Sequence, residues 1–222
     1  MKLIIFDVDG TLVDSQHHIH RGMGHAFDRA GLPAPGLDAV LETVGLSLPH
    51  AIARLAPDAD EAMHARLADG YRAAFHERHV PENAPLYPGA QECLDALGAR
   101  DDLLLAVATG KGRRGLDVML QHHGLQGRFV SLQTADGHPS KPHPAMLHSA
   151  LAETGVDAVD AVMVGDTSFD MAMAVAAGVT GFGVGWGYHA AADLKASGAV
   201  LVASDFSALT RAIDHWVAEG SR

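Results

Sequence analysis

Ile4-Ile5-Phe6-Asp7-Val8-Asp9-Gly10-Thr11-Leu12-Val13-Asp14-Ser15 begins as a short apolar run and ends in two aspartates one residue apart, followed by Gly and Thr. Carboxylates this close repel each other, a cost that a cation or a proton relieves. Their place where an apolar run stops therefore suggests chemistry. In open α/β sheets ligands collect beyond the carboxyl ends of the strands, so the ends of the other apolar runs are the next places to read.

Working outward, short apolar runs ending in Asp, Gly or Thr alternate with helical periodicities, the signature of βα units around a parallel sheet. Strands are expected over 3–6, 103–108, 129–132, 161–164, 181–184 and 199–202. Helices are expected over 90–99, 114–123, 144–153, 170–177 and 206–219. The fold class is α/β, a doubly wound, Rossmann-like parallel sheet. From 16 to 81 no strand candidate appears. Ile19, Met23, Ala26, Phe27 and Ala30 share one helical face, and Ala51, Ile52, Leu55, Met63, Leu67, Tyr71, Ala74 and Phe75 extend the helical reading. Residues 1–15 and 82–222 are thus expected to form the α/β core and 16–81 an all-helical insert after the first strand. The Pro-bearing stretch 81–89 reads as the return linker.

Of the 222 residues, 48% are hydrophobic and 19% charged, a globular rather than a disordered composition. With 16 basic against 27 acidic residues the formal charge is −11, which argues against a phosphate-backbone binder, so no nucleic acid partner is expected. The N-terminal apolar run is too short for a signal peptide and no stretch approaches a membrane span, so a cytoplasmic protein without a membrane partner is expected. The single cysteine, Cys93, has no internal disulfide partner and reads as a buried structural thiol. Composition leaves monomer and homodimer both open.

At the ends of the apolar runs lie Asp7 and Asp9, then Thr109-Gly110-Lys111, then Gly165-Asp166-Thr167-Ser168-Phe169-Asp170, with Ser140-Lys141-Pro142 ahead of a helix. Each has a bland reading. Asp170 alone would be a helix cap or turn residue, Thr109-Gly110 a turn, and Lys141 a solvated loop charge. Their joint placement at successive strand ends is what carries the functional reading: four carboxylates, a hydroxyl and a lysine meet at one edge.

The segments DVDGT, VATGK, SKPHP and VGDTSFD, in that order, resemble the four motifs of the haloacid dehalogenase superfamily, and the helical insert after the first resembles its type-1 cap. Within that superfamily the chain is most similar to phosphoglycolate phosphatase-like hydrolases. The resemblance implies a phosphatase for a small phosphorylated metabolite, phosphoglycolate among the possibilities. In it Asp7 attacks phosphorus to give an aspartyl-phosphate, while Asp9 serves as general acid and base. Mg²⁺, a hard cation suited to oxygen ligands, is held by Asp7, the backbone carbonyl of Asp9 and Asp166. Thr109 and Gly110 hold the phosphoryl oxygens with Lys141, and Asp170 orders Lys141 or a water on the metal. An aspartate at position 9 sets the chain apart from relatives that cleave C–halogen or C–P bonds. Two other functions use similar parts: a sugar phosphomutase of the same fold, and a phospho-receiver module, whose phosphorylated aspartate follows a middle strand rather than the first.

Specificity is expected from 44–50, a loop between helical stretches. It offers no Arg or Lys for a substrate carboxylate, and Arg21 and Arg54 are the nearest candidates. Other signals are declined. Fifteen histidines, crowded at His17, His18, His20 and His25 and at His122-His123, lack the spacing of a transition-metal site and read as surface or insert-interface residues, with substrate contact by one of them from the insert as the alternative. GVTGFGVGWGYH lacks the third glycine of a dinucleotide loop, and TGKGRRG lacks the first glycine of a phosphate loop. Arg113 and Arg114 read as solvating a helix start, with a place at the substrate's entrance as the alternative.

Overall fold

The structure, a computed structural model, describes residues 1–76 and 84–219. Six parallel strands, β1 (Lys2–Phe6), β2 (Leu103–Thr109), β3 (Ser131–Thr134), β4 (Ala161–Gly165), β5 (Thr180–Val184) and β6 (Ala199–Ala203), form one sheet in the order β3-β2-β1-β4-β5-β6. The strand order reverses at β1, so the crevice at its carboxyl end is where a doubly wound sheet binds ligand. β1 is buried along its whole length. Ile4 and Phe6 enter the apolar layer beneath α5 (Ala90–Gly98), α6 (Arg113–His122) and α10 (Phe206–Glu219), whereas Leu3 and Ile5 enter the layer beneath α7 (Ala145–Thr154) and α8 (Ser168–Ala177). A continuous apolar run is what a strand covered on both faces requires.

Between β1 and α5 the chain builds α1 (Gln16–Ala30), α2 (Leu37–Leu41), α3 (Leu48–Leu55) and α4 (Glu61–His76). These helices bury an apolar cluster of their own, including Met23, Phe27, Val40, Ile52 and Leu67. At Gly70 a Cβ would stand 3.1 Å from the Ala26 Cα, so glycine lets α4 approach the α1 backbone closely. The outgoing and returning chains pair: Val13 bridges Leu86, the Asp14 N–H donates to the Pro85 carbonyl at 2.9 Å, and the Tyr87 N–H to that of Leu12 at 2.9 Å. Residues 81–83 of the expected linker, and the expected boundary at 81/82, lie outside the described residues.

Several boundaries differ from expectation. β3 lies two residues downstream because Phe129 packs into the core and Val130 is exposed, while the pairing strand is the more polar Ser-Leu-Gln-Thr. Its buried polar groups are matched, Gln133 Nε2 donating to Ser131 Oγ at 2.7 Å. α8 starts at Ser168 rather than Asp170, because Thr167 is its N-cap. α9 (Ala191–Ala196) was not anticipated, being too short to show periodicity. Cys93 is buried on α5, as expected. Among the described residues no helix is long and apolar enough to cross a membrane.

Candidate active site

Beyond Phe6 the chain stays extended for one more step, the Asp7 N–H donating to the Val164 carbonyl of β4 at 2.9 Å. It then turns tightly, with the Leu12 and Val13 N–H groups directed to the Val8 carbonyl. Gly10 sits in this turn at φ +84°, and a Cβ there would lie 2.2 Å from Asp166 Oδ2. Glycine is thus required twice, by conformation and by the approach of a carboxylate.

Asp166, at the end of β4, is fully buried. Its Oδ1 accepts from the Thr11 hydroxyl at 2.9 Å and its Oδ2 from the Tyr188 N–H at 2.9 Å. Asp170 is the third helical residue of α8 and closes a capping box with Thr167. Its Oδ2 accepts from the Thr167 N–H at 3.0 Å and hydroxyl at 2.7 Å, leaving Oδ1 for Lys141 Nζ at 2.7 Å. Lys141 Nζ also lies 3.0 Å from Asp7 Oδ1. The ammonium is buried between two carboxylates, not solvated.

Asp7, Asp166 and Asp170 each bring an oxygen within 4.8 Å of the others. Burial raises the Asp7 pKa to about 7; Lys141 pulls the other way and Asp170 pushes further up. Burial likewise lifts Asp166 well above the usual carboxylate range, with Asp170 and Asp7 adding to it. Lys141 is disfavoured as a cation by burial, but Asp170 and then Asp7 more than offset this and raise its pKa. Neither oxygen of Asp7, nor Oδ1 of Asp9, has a hydrogen-bond partner among the described residues; Lys141 and Lys111 stand only at ion-pair distance. Buried, mutually repelling, unpartnered carboxylate oxygens are the donor set that a hard divalent cation takes.

Over this edge, bounded by the helical insert, lies a cavity of about 560 Å³ whose walls include Asp7, Asp9, Thr109, Gly110 and residues 43–51. Thr109 is buried, and its hydroxyl accepts from the Lys111 N–H at 3.2 Å. A Cβ on Gly110 would stand 2.5 Å from the Gly45 carbonyl oxygen, so glycine admits the insert onto the sheet edge. Ser140 Oγ accepts from the Ser47 N–H at 2.8 Å. The expected specificity loop does reach the site, although α3 already begins at Leu48. Arg21 and Arg54 do not line the cavity; Arg54 lies over the Phe169 ring, 5.2 Å from its centroid. Arg72 and Arg114 line it instead, which for Arg114 is the alternative reading of a place at the entrance. Of the clustered histidines at the start of the insert, His18 borders a smaller cavity with Asp9 and Lys111.

Sequence reading missed several partners. Lys111 Nζ lies 3.1 Å from Asp9 Oδ1. Thr11 and Tyr188 hold Asp166, and a Cβ on Gly187 would stand 2.1 Å from the Asp166 Cβ. The glycines of the declined GVGWGYH segment were the available signal: they mark close backbone approach to a carboxylate, not to a dinucleotide.

A fold of this order with carboxylates beyond the ends of β1 and β4, a third on α8 and a buried lysine defines a hydrolase class, and comparison with known proteins names it. The haloacid dehalogenase-like hydrolase family profile matches residues 4–184, and the chain belongs to that family. The "Probable phosphatase IndB" of Dickeya dadantii is 37% identical, over 92% of this chain and 90% of its own. The phosphoglycolate phosphatase of Rhodospirillum rubrum is 34% identical, over 94% and 89%. The crystal structure of a hydrolase from Pseudomonas syringae superposes with a TM-score of 0.83 at 24% identity, over 97% and 99%.

Proposed function

We propose that the protein is a Mg²⁺-dependent phosphatase that hydrolyses a small phosphorylated metabolite through an aspartyl-phosphate on Asp7. Residues 1–15 and 82–222 are the catalytic core and 16–81 the cap. The observation that carries this reading is the Asp7 carboxylate, buried, with Oδ2 unpartnered among the described residues and Oδ1 facing the Lys141 ammonium at 3.0 Å. A nucleophile must keep its lone pairs free for the substrate, and a structural carboxylate does not.

Thr109, the Gly110 amide and Lys141 receive the phosphoryl oxygens. Asp7 attacks phosphorus; the new O–P bond forms as the ester P–O bond breaks, and Asp9 gives its proton to the departing oxygen. Asp9 then takes a proton from water, which attacks the phosphorus of the acyl phosphate, releases phosphate and restores Asp7. Asp7, the Asp9 carbonyl and Asp166 are the ligands for Mg²⁺, with Asp170 holding Lys141. When bound, the cation screens the repulsion between substrate dianion and carboxylate. Lys111, beside Asp9, is placed to hold its side chain toward the leaving group.

The test combines phosphate release from a panel of monoesters, phosphoglycolate included, with mass spectrometry of rapidly quenched enzyme. Expected are Mg²⁺-dependent turnover, one phosphoryl adduct on the Asp7 peptide, and loss of at least roughly a thousandfold in kcat on Asp7→Asn. An adduct elsewhere, or an active Asp7→Asn, sinks the assignment. Phosphoryl transfer between sugar hydroxyls without net phosphate would make the protein a phosphomutase instead.

A further inference from the structure

The walls of the cavity above Asp7 indicate what the ester carries, an inference that rests on the phosphatase reading. The cavity, about 560 Å³, falls within the roughly 300–1,000 Å³ of pockets that enclose ligands of drug size. A two-carbon acid phosphate would leave most of it to water. The insert side carries an apolar and aromatic strip beside polar groups that include Ser47, His50 and Arg72. Ile19 and Met23, one turn apart on α1, and Tyr71 and Phe75, one turn apart on α4, all line it.

The aromatic pair is built deliberately into the helix crossing. Tyr71 and Phe75 stand with centroids 5.1 Å apart and planes inclined by 56°. Gly22 makes room for both, since a Cβ there would meet Phe75 Cε2 at 2.9 Å and Tyr71 Cε2 at 3.1 Å. Tyr71 packs against the insert's apolar cluster, whereas Phe75 is only partly buried and lies outside that cluster. A phenyl ring facing an active-site cavity is a surface for another ring.

The charges point the same way. Among the described residues, two of the three Lys and Arg side chains lining the cavity face a carboxylate, Lys111 at 3.1 Å from Asp9 and Arg72 at 3.0 Å from Asp69, and the third, Arg114, lies 2.8 Å from His76 Nδ1. A substrate carboxylate would share Lys111 or Arg72 with the carboxylate already beside it, while an uncharged ring leaves both pairs as they are.

We propose that the substrate is a phosphomonoester whose alcohol is an uncharged ring of sugar or nucleoside size, laid against Phe75 and Tyr71, rather than a two-carbon acid. The experiment compares kcat/KM for acetyl phosphate, phosphoglycolate, ribose 5-phosphate and adenosine 5′-monophosphate, using wild type, Phe75→Ala and Phe75→Tyr. At least one ring-bearing ester should exceed phosphoglycolate by roughly a hundredfold, toward the upper end of what stacking on one aromatic side chain supplies. Phe75→Ala should cut that advantage about tenfold, through KM, and Phe75→Tyr should keep it. A preference for the nucleotide assigns the contact to an aromatic base, and equal rates on both ring-bearing esters assign it to the sugar. Phosphoglycolate used as well as the ring-bearing esters, or Phe75→Ala slowing acetyl phosphate and the ring-bearing esters alike, overturns the proposal and leaves the phosphatase reading standing. No turnover of any of the four compounds, the acyl phosphate included, overturns the phosphatase reading and this proposal with it.

Discussion

At Asp7, burial and function oppose each other. With the pKa raised from the ordinary 3.8 to about 7, the folded protein binds more protons than the unfolded chain in the interval between. Stability from this group is complete below the unfolded value and drains away as pH rises through the folded one, so without metal the site should weaken the fold from about pH 4 to about pH 7. Asp7→Asn removes that dependence. In chelator, urea unfolding should show the variant gaining on wild type as pH rises, by a few kcal/mol at most, at about 1.4 kcal/mol per pKa unit. Excess Mg²⁺ should flatten the wild-type trend and not that of the variant. Parallel curves for the two proteins in chelator would show that Asp7 is not the strained group. Lys141 has the opposite sense of strain: two carboxylates keep it charged, so its removal would leave them facing each other in a dry site.

The elements succeed or fail by how they end. α8 presents Asp170 to Lys141 because Thr167 caps the helix and shares a hydroxyl with the Asp170 carboxylate. Thr167→Ala should cost about 1–2 kcal/mol in chemical denaturation, the usual worth of a cap, and should also lower kcat by freeing Asp170 to turn away from Lys141. If stability falls while kcat holds, the cap serves the helix alone. Strand ends such as Asp7, Thr109 and Asp166 were legible in sequence because an apolar run stopping at Asp or Thr carries both the element and its chemistry in adjacent residues. β3 was displaced because its buried residues are Ser, Gln and Thr, with Ser131 and Gln133 hydrogen-bonded to each other, which hydropathy cannot see. α9 has too few residues for a period to emerge. Lys111, Thr11 and Tyr188 escaped because their partners are set by turns and by the crossing of distant segments. The seat of Asp166 depends on Gly10 and Gly187, whose lack of a side chain is itself the contribution.

On the scale of the whole molecule, the three apolar clusters are arranged so that the site lies between units of separate stability. Two clusters clamp the faces of the sheet, and the third is confined to the insert. The described crossings between insert and core are local: the paired strap of Leu12–Asp14 with Pro85–Tyr87, the Ser47–Ser140 hydrogen bond, the seat of residues 45–46 on Gly110, Arg54 over the Phe169 ring and the Arg114–His76 contact. An insert with its own core and a narrow strap can swing or loosen without disturbing the carboxylates beneath, which is what admission of substrate and exclusion of water require of a cap. Leu67→Ala tests this division. Leu67 is fully buried within the insert's cluster, and truncating it should cost about 2–5 kcal/mol. If the insert is a cooperative unit of its own, hydrogen exchange should quicken across Gln16–His76 while the amides of β1, β2 and β4 keep their protection. Activity should fall through KM and kcat together, because the cavity loses its roof. A uniform loss of protection through sheet and insert alike would mean that the two fold as one unit, and the cap would then have to move by bending within its packed helices rather than by turning on its strap.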